Sequence, residues 1–294
     1  MHQTSQPMNA KDVATPFLEF ARADWAAAYT QPFPHWPVES ITPELIEVYW
    51  PLAQLLNQLF LEKMESIPYV IGITGSVAVG KSVLSKMLQR LLMTWPEYPQ
   101  VELLSTDSFI YPQAVLEKHH LTQRKGFPES YHQRAWLRFL RHLKAGDPAL
   151  CVSEYSHEYY DIIPNSQRKV QRTDIVIIEG LNILQSPQWH ASKRLAQDFF
   201  DFIIYVDAES HWLKQWYIER FMRLRHEARQ KPTTRFYEST LWSDSQALDF
   251  ATMLWETINA PNLQANILPF KQRADLILEK GPDHSIQTIR LRKL

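Results

Sequence analysis

Apolar positions along the chain follow two patterns whose alternation sets the fold class. Tyr69-Val70-Ile71-Gly72-Ile73-Thr74, Asp174-Ile175-Val176-Ile177-Ile178, Phe202-Ile203-Ile204-Tyr205-Val206 and Ala274-Asp275-Leu276-Ile277-Leu278 are short, largely β-branched runs. They lack strict alternation, as strands covered on both faces of a sheet do. Val101-Glu102-Leu103-Leu104 is a further short strand, ending in Ser105-Thr106-Asp107. Between these runs apolar residues recur at helical spacing: Leu84, Met87, Leu88, Leu91 and Leu92, then Trp136, Phe139, Leu140 and Leu143 up to Gly146. A third helix begins at Ser210, and a fourth follows the capping box Ser243-x-x-Gln246 with Leu248, Ala251, Leu254, Trp255 and Ile258. Strands alternating with helices predict an α/β fold with a mainly parallel sheet flanked by helices.

The first part of the chain reads differently. Met1 to Lys11 is polar and predicts a frayed end. Thr15 and Pro16 supply a cap and a first helical position for a short helix over Thr15–Tyr29. A proline-rich connector, Gln31 to Pro37, leads to a second cap at Thr42-Pro43 and a helix marked by Leu45, Val48, Leu52, Leu55, Leu56 and Leu59 toward Met64, kinked at Pro51. The expected organisation is one domain: a helical extension over 1–66 and an α/β core over 67–294.

With 294 residues, a net charge of -1 and a pI near 6.8, the chain lacks the basic balance of a nucleic-acid binder. A single cysteine, Cys151, excludes an intramolecular disulfide and suits a reducing compartment. No apolar run is long enough to cross a bilayer and no signal-peptide pattern opens the chain. The expectation is a cytoplasmic protein with neither membrane nor nucleic-acid partners.

Chemistry enters at Gly75-Ser76-Val77-Ala78-Val79-Gly80-Lys81-Ser82, which fits G-x-x-x-x-G-K-[ST]. In such a loop backbone N–H groups turn inward around a polyphosphate, the lysine reaches the β/γ-phosphates, and the hydroxyl joins a Mg²⁺ shell. A buried strand precedes it and an amphipathic helix follows, the order that anion binding at a helix N-terminus requires. In an open α/β sheet, ligands sit beyond the carboxyl ends of the strands. Asp107, Glu179 and Asp207 all stand there. Asp107 is the better base candidate because its strand is expected to neighbour that of the phosphate loop. Glu179 is balanced between a water-mediated Mg²⁺ contact and a turn cap, and Asp207 reads as a turn carboxylate.

Three further segments are ambiguous from spacing alone. Tyr155-Ser156-His157-Glu158-Tyr159-Tyr160 reads as an edge strand with polar-tipped aromatics. On the helix from Ser210, Arg220 shares the apolar stripe of Leu213, Trp216, Tyr217, Phe221 and Leu224 and needs an anionic partner, while Arg223, Arg225 and Arg229 continue the positive charge. Asn259 is most economically a C-terminal cap.

Taken together, PYVIGITGSVAVGKS, VELLSTDSF, KGFPESY, EYSHEYYDIIP, DIVIIEGLNIL, FDFIIYVDA, WYIERF, LWETIN and NLQANILP resemble the bacterial type I pantothenate kinases, in the family's order and over nearly the whole chain. The resemblance implies MgATP-dependent phosphorylation of the primary hydroxyl of pantothenate, the first step toward coenzyme A. It implies Asp107 as base, Tyr155, His157 and Tyr160 around substrate and nucleotide, Tyr217 and Asn259 on pantothenate, and Arg220 at the transferred phosphoryl. A homodimer is also implied. The chain departs from the family at Ser108, often glycine there, and at Val83, commonly a hydroxyl amino acid. Lys86 stands where coenzyme A feedback commonly uses an arginine, and lysine loses the bidentate fork. Leu224, Arg229 and Ser239 replace aromatics of the inhibitor pocket, while Phe221 and Phe236 remain. Weakened feedback is therefore expected. Alternative readings are a uridine kinase or phosphoribulokinase-like enzyme, a nucleotide switch, against which the absence of an N-K-x-D loop counts, and a non-catalytic coenzyme A binder.

Overall fold

The computed structural model describes residues 15–293 apart from 30, 35, 38, 40, 64–67, 96–99, 172 and 186–194. The polar start at Met1 to Lys11 and the helix end at Met64 lie outside the described residues. The strands at its centre are β1 (Phe17–Ala21), β2 (Tyr69–Gly75), β3 (Val101–Ser105), β4 (Cys151–Ser156), β5 (Asp161–Lys169), β6 (Ile175–Glu179), β7 (Phe202–Ala208), β8 (Leu276–Lys280) and β9 (Ile286–Arg292). Seven form one sheet in the order β1-β9-β8-β7-β2-β6-β3, and β4 and β5 form a separate antiparallel ribbon. The four pairings from β8 to β3 are parallel, and β9 turns back antiparallel on β8.

Both faces of this sheet are covered, which is why its strands are apolar throughout. Ile175 and Ile177 point into one core with α2 (Trp50–Glu62) and α3 (Lys81–Leu92), whereas Val176 and Ile178 point into a second with Trp136, Phe139 and Leu140 of α5 (Gln133–Lys144). α1 (Arg22–Ala27) and α4 (Gln113–Lys118) are single short pieces. α6 (Ser210–Ala228) and α7 (Asp244–Leu254) pack on each other beside the sheet, and the Ser243–Gln246 capping box forms as the sequence indicates.

Two expectations need correction here. The segment expected to be a helix from Thr15 is instead an edge strand: Phe17 to Ala21 pair antiparallel with Arg292 to Thr288, and the helix begins only at Arg22. Thr15 does not cap; its hydroxyl donates to the Phe17 carbonyl. Pairing satisfies the backbone of β9, and burial of Phe17 repays the ordering of the strand. Second, β3 does not neighbour β2. It pairs with β6, which lies between them.

Helix irregularity has one recurring cause. The turns Leu45–Tyr49, Trp255–Asn259 and Leu263–Ile267 are π-helical, each closed by an N–H to the carbonyl five residues back, from Trp50, Ala260 and Leu268. Each is followed by a proline: Pro51, Pro261 and Pro269. A proline ring clashes with the carbonyl four residues back and leaves it without a donor. Widening the preceding turn relieves both without ending the helix. The expected disturbance at Pro51 is thus a widened turn, entered through Thr42, whose hydroxyl accepts from the Leu45 N–H.

Candidate functional site

The phosphate loop is shaped by backbone that side chains would obstruct. Gly75 and Gly80 have φ of 139° and 99°, and a Cβ on Gly75 would fall 2.2 Å from the Val206 carbonyl oxygen. Ala78 also adopts a left-handed conformation at φ 64°, while Val79 anchors the loop in the core. Lys81 opens α3 and folds back so that Nζ donates to the carbonyls of Ser76 (2.8 Å) and Gly75 (3.2 Å). Burial pushes its pKa down, opposed by the charges of Glu179 and Asp107. An ammonium in such a place is poised for an anion.

Parallel register brings the other strand ends alongside. Ile73, Glu179 and Ser105 stand side by side on β2, β6 and β3, so Asp107, two residues past β3, faces the loop across Glu179. The Ser105 hydroxyl accepts from the Asp107 N–H (3.2 Å), which fixes the turn. Ser82 donates to Glu179 Oε1 at 3.3 Å. Burial and then the charge of Glu179 hold the Asp107 carboxyl above its ordinary range, with His157, Lys81 and Lys125 acting the other way. Asp207 stands apart from the site but is not a turn carboxylate: it lies within β7, where its side chain pairs with Lys271 at 2.7 Å.

These groups share one cavity of about 440 Å³. Its phosphate end carries Val77, Ala78, Lys81, Ser82, Glu179 and Asp107. Its other walls carry Tyr155, His157 and Tyr160 from the β4–β5 ribbon and its turn, Tyr217, Arg220 and Phe221 from α6, and Phe236 and Asn259. The bland edge-strand reading of Tyr155–Tyr160 is therefore half right: the ribbon ends at Ser156 and the remainder is a turn, with Tyr160 at φ 56°. Asn259 is not a C-terminal cap. The helix continues past it, and the π turn sets it on the cavity wall with Tyr217, its Nδ2 donating back to the Leu254 carbonyl (3.2 Å). Lys86 is exposed on α3 and does not line this cavity, whereas Phe221 and Phe236 do, in edge contact at 5.6 Å.

An arginine on α6 does need a buried partner, but it is Arg225 and not Arg220. Arg225 is 4% exposed and donates to the carbonyls of Ser239 and Trp242 and to Asp244 Oδ1 (2.7 Å). It pins the loop that carries Arg235, Phe236 and Ser239 onto the cavity wall. Arg220 is partly exposed and open to the cavity.

A hard cation fits the oxygens of Ser82 and Glu179. Among the described residues no cluster of three or more His, Cys, Asp or Glu could hold a metal by itself. A Mg²⁺ here would draw the rest of its shell from phosphate and water, which is its habit at nucleotide sites.

Comparison with known proteins agrees with this geometry. The phosphoribulokinase/uridine kinase family profile matches residues 70–231. A pantothenate kinase of Clavibacter sepedonicus is 42% identical over 95% of each chain, and one of Streptomyces coelicolor is 42% identical over 96% of this chain and 94% of its own. One of Sorangium cellulosum reaches 46% over 85% of this chain and 86% of its own. The chain belongs to the pantothenate kinase family. Among solved structures the YGR205w protein superposes with TM-score 0.60 at 15% identity, covering 86% of this chain and 100% of its own. YFH7 of Saccharomyces cerevisiae gives 0.56 at 12%, covering 79% and 98%. At those identities the likeness concerns the fold alone.

Against the family's expected site, sequence reasoning missed three cations. Lys125 lines the cavity, donates to the Tyr160 carbonyl and lies over the Tyr155 ring. Its signal was available, since it opens the KGFPESY string. Lys280, at the end of β8, presses against Gly80, where a Cβ would come within 2.9 Å of its Nζ. Arg235 lines the cavity with no motif around it.

Proposed function

We propose that this chain phosphorylates pantothenate at its primary hydroxyl with ATP as donor. The observation that carries the reading is the meeting, in one cavity, of a phosphate loop, the half-buried carboxylate Asp107 and a wall of tyrosines with Asn259. Family membership supplies the substrate; the cavity supplies a division of labour. Loop N–H groups and Lys81 would hold the β/γ-phosphates, leaving the Gly75 and Ser76 carbonyls that Lys81 now contacts. Ser82 and Glu179 would hold Mg²⁺, which would offset the charge developing in transfer. Asp107 orients the substrate hydroxyl and takes its proton late in transfer. Arg220 faces the charge on the transferring group. Tyr155, His157, Tyr160, Tyr217 and Asn259 bind the remainder of the substrate. The tyrosines near Asp107 stay neutral, their phenol pKa values raised by burial.

A substrate panel tests the reading: ADP release with pantothenate, uridine and ribulose 5-phosphate at matched concentrations. Release with pantothenate alone is expected. Preference for either of the others would place the chain with the broader family's other kinases.

The electrostatics add a pH signature. The charge of Glu179 is the second cause, after burial, of the raised Asp107 pKa. Removing that charge in Glu179→Gln lets Asp107 ionise at lower pH. The acid limb of the kcat/KM profile should therefore move to lower pH, whatever the loss in overall rate. An unmoved limb would show that Asp107 is not the group titrating there.

The same reading includes coenzyme A as an inhibitor of reduced potency. Lys86 sits on an exposed helix face with a single point charge, and Ser239 turns its polar atoms to Arg225 and Phe236. Titration with coenzyme A is expected to show weak inhibition, and potent inhibition at low micromolar levels would refute it.

A further inference from the structure

Most charges around the cavity already have work in the scheme above; Arg235 has none. Lys81, Arg220 and Lys125 surround the reacting end, where Lys81 feels the charges of Glu179, Asp107 and Arg220, and Asp107 those of Lys81 and Lys125. Arg235 stands on the tyrosine wall of the cavity, where its charge reaches Tyr155, Tyr160, Tyr217 and Lys125. Its guanidinium lies 5.7 Å from the centre of the Tyr160 ring, and its backbone N–H donates to the Glu158 carbonyl (3.3 Å), which ties its loop to the turn bearing His157 and Tyr160. Among the described residues no carboxylate lies within ion-pair distance of it. Glu238, the acidic side chain on the same stretch of wall, is exposed and makes no pair with it.

Pantothenate has the complementary layout. Its reactive alcohol and its carboxylate are at opposite ends of a chain about three residues long, roughly 10 Å when extended. With the alcohol at Asp107 and the central amide among Tyr217 and Asn259, the carboxylate is directed to the end where Arg235 stands. A guanidinium offers a carboxylate two parallel donors, and here it is steadied by an aromatic face.

We propose that Arg235 is the counter-charge that recognises the substrate's carboxylate, making this enzyme selective for the acid over neutral analogues. The inference rests on pantothenate being the substrate, so wild-type turnover of pantothenate is measured first. Its absence would overturn that reading and this one with it. The decisive comparison then uses pantothenol, in which a hydroxymethyl group replaces the carboxylate. Arg235→Gln should raise KM for pantothenate about tenfold, the usual weight of a charged hydrogen bond, with little change in kcat. KM for pantothenol should be the same in variant and wild type, which also shows that the variant folds. Arg235→Lys should recover part of the loss. An equal rise in both KM values would make Arg235 a piece of cavity wall, and an unchanged KM for pantothenate would make it a solvated surface arginine. Either result overturns the role while leaving the kinase reading intact.

Discussion

Asp107→Asn should lower kcat by about 10³-fold, the mid-range effect of removing a positioned general base, while Kd for ATP stays within about twofold. The amide keeps the size and much of the hydrogen bonding of the carboxylate but cannot take the hydroxyl proton. Stability should move the other way. The folded-state pKa of Asp107 is raised, first by burial and then by Glu179, so ionisation opposes folding. Its contribution is fully favourable only below the unfolded value and is lost as pH rises through the folded one. At neutral pH the variant escapes that cost, and Tm should rise by a few degrees, about 1 kcal/mol. The difference should vanish in acid. Near-normal turnover would remove Asp107 as the base, and a fall in Tm at neutral pH would show that the carboxylate is held as a stabilising ion instead.

Lys81→Met is the second large effect. Its ammonium is buried and, among the described residues, held only by the carbonyls of Gly75 and Ser76, with no carboxylate partner at bonding distance. Loss of the charge facing the phosphates should reduce kcat/KM for ATP by about 10³-fold or more, since charged donors in dry sites carry several kcal/mol of transition-state stabilisation. Burial depresses the lysine's pKa, so the folded chain resists the charged form, and methionine fills the slot without that penalty. The free variant should accordingly melt no lower than wild type but lose the stabilisation that MgATP gives. The two readouts, by steady-state kinetics and thermal melts with and without MgATP, separate a lost ligand contact from a damaged loop. A variant that still gains Tm from MgATP as wild type does would contradict the role.

What the sequence disclosed follows physical lines. The phosphate loop was legible because its function is carried by contiguous residues in a fixed order of strand, loop and helix. The site positions of Asp107 and Glu179 were legible because parallel strands deliver their carboxyl ends to one edge, whichever strands are neighbours. Strand order itself was not: β6 separates β3 from β2 through tertiary packing that no local pattern encodes. The N-terminal strand was missed for a similar reason. Its partner lies at the far end of the chain, Phe17 opposite Arg292, while locally Thr15-Pro16 imitates a helix start.

The helical residues mark a subtler limit. Arg220 and Arg225 both sit near apolar positions of α6, and periodicity alone favoured the first. The helix changes partners along its length, with Leu213 and Trp216 in the main core and Phe221 in a separate cluster with Ala247 and Ala251. That second cluster turns Arg225 inward. For Asn259, a helix followed by proline reads as ending, and only the widened turn before Pro261 explains how it continues and aims Asn259 at the cavity. Tyr155, His157, Tyr160 and Tyr217 gained roles in the reading through family resemblance, and their common cavity is a product of long-range folding.

The most direct test of the account identifies the product. Purified protein with Mg²⁺, ATP and pantothenate is followed by mass spectrometry and by ³¹P–¹H NMR. The account predicts a monophosphate whose phosphorus couples to the methylene protons of the primary alcohol carbon. Pantothenate recovered unchanged, or phosphate found on its secondary hydroxyl, would contradict it.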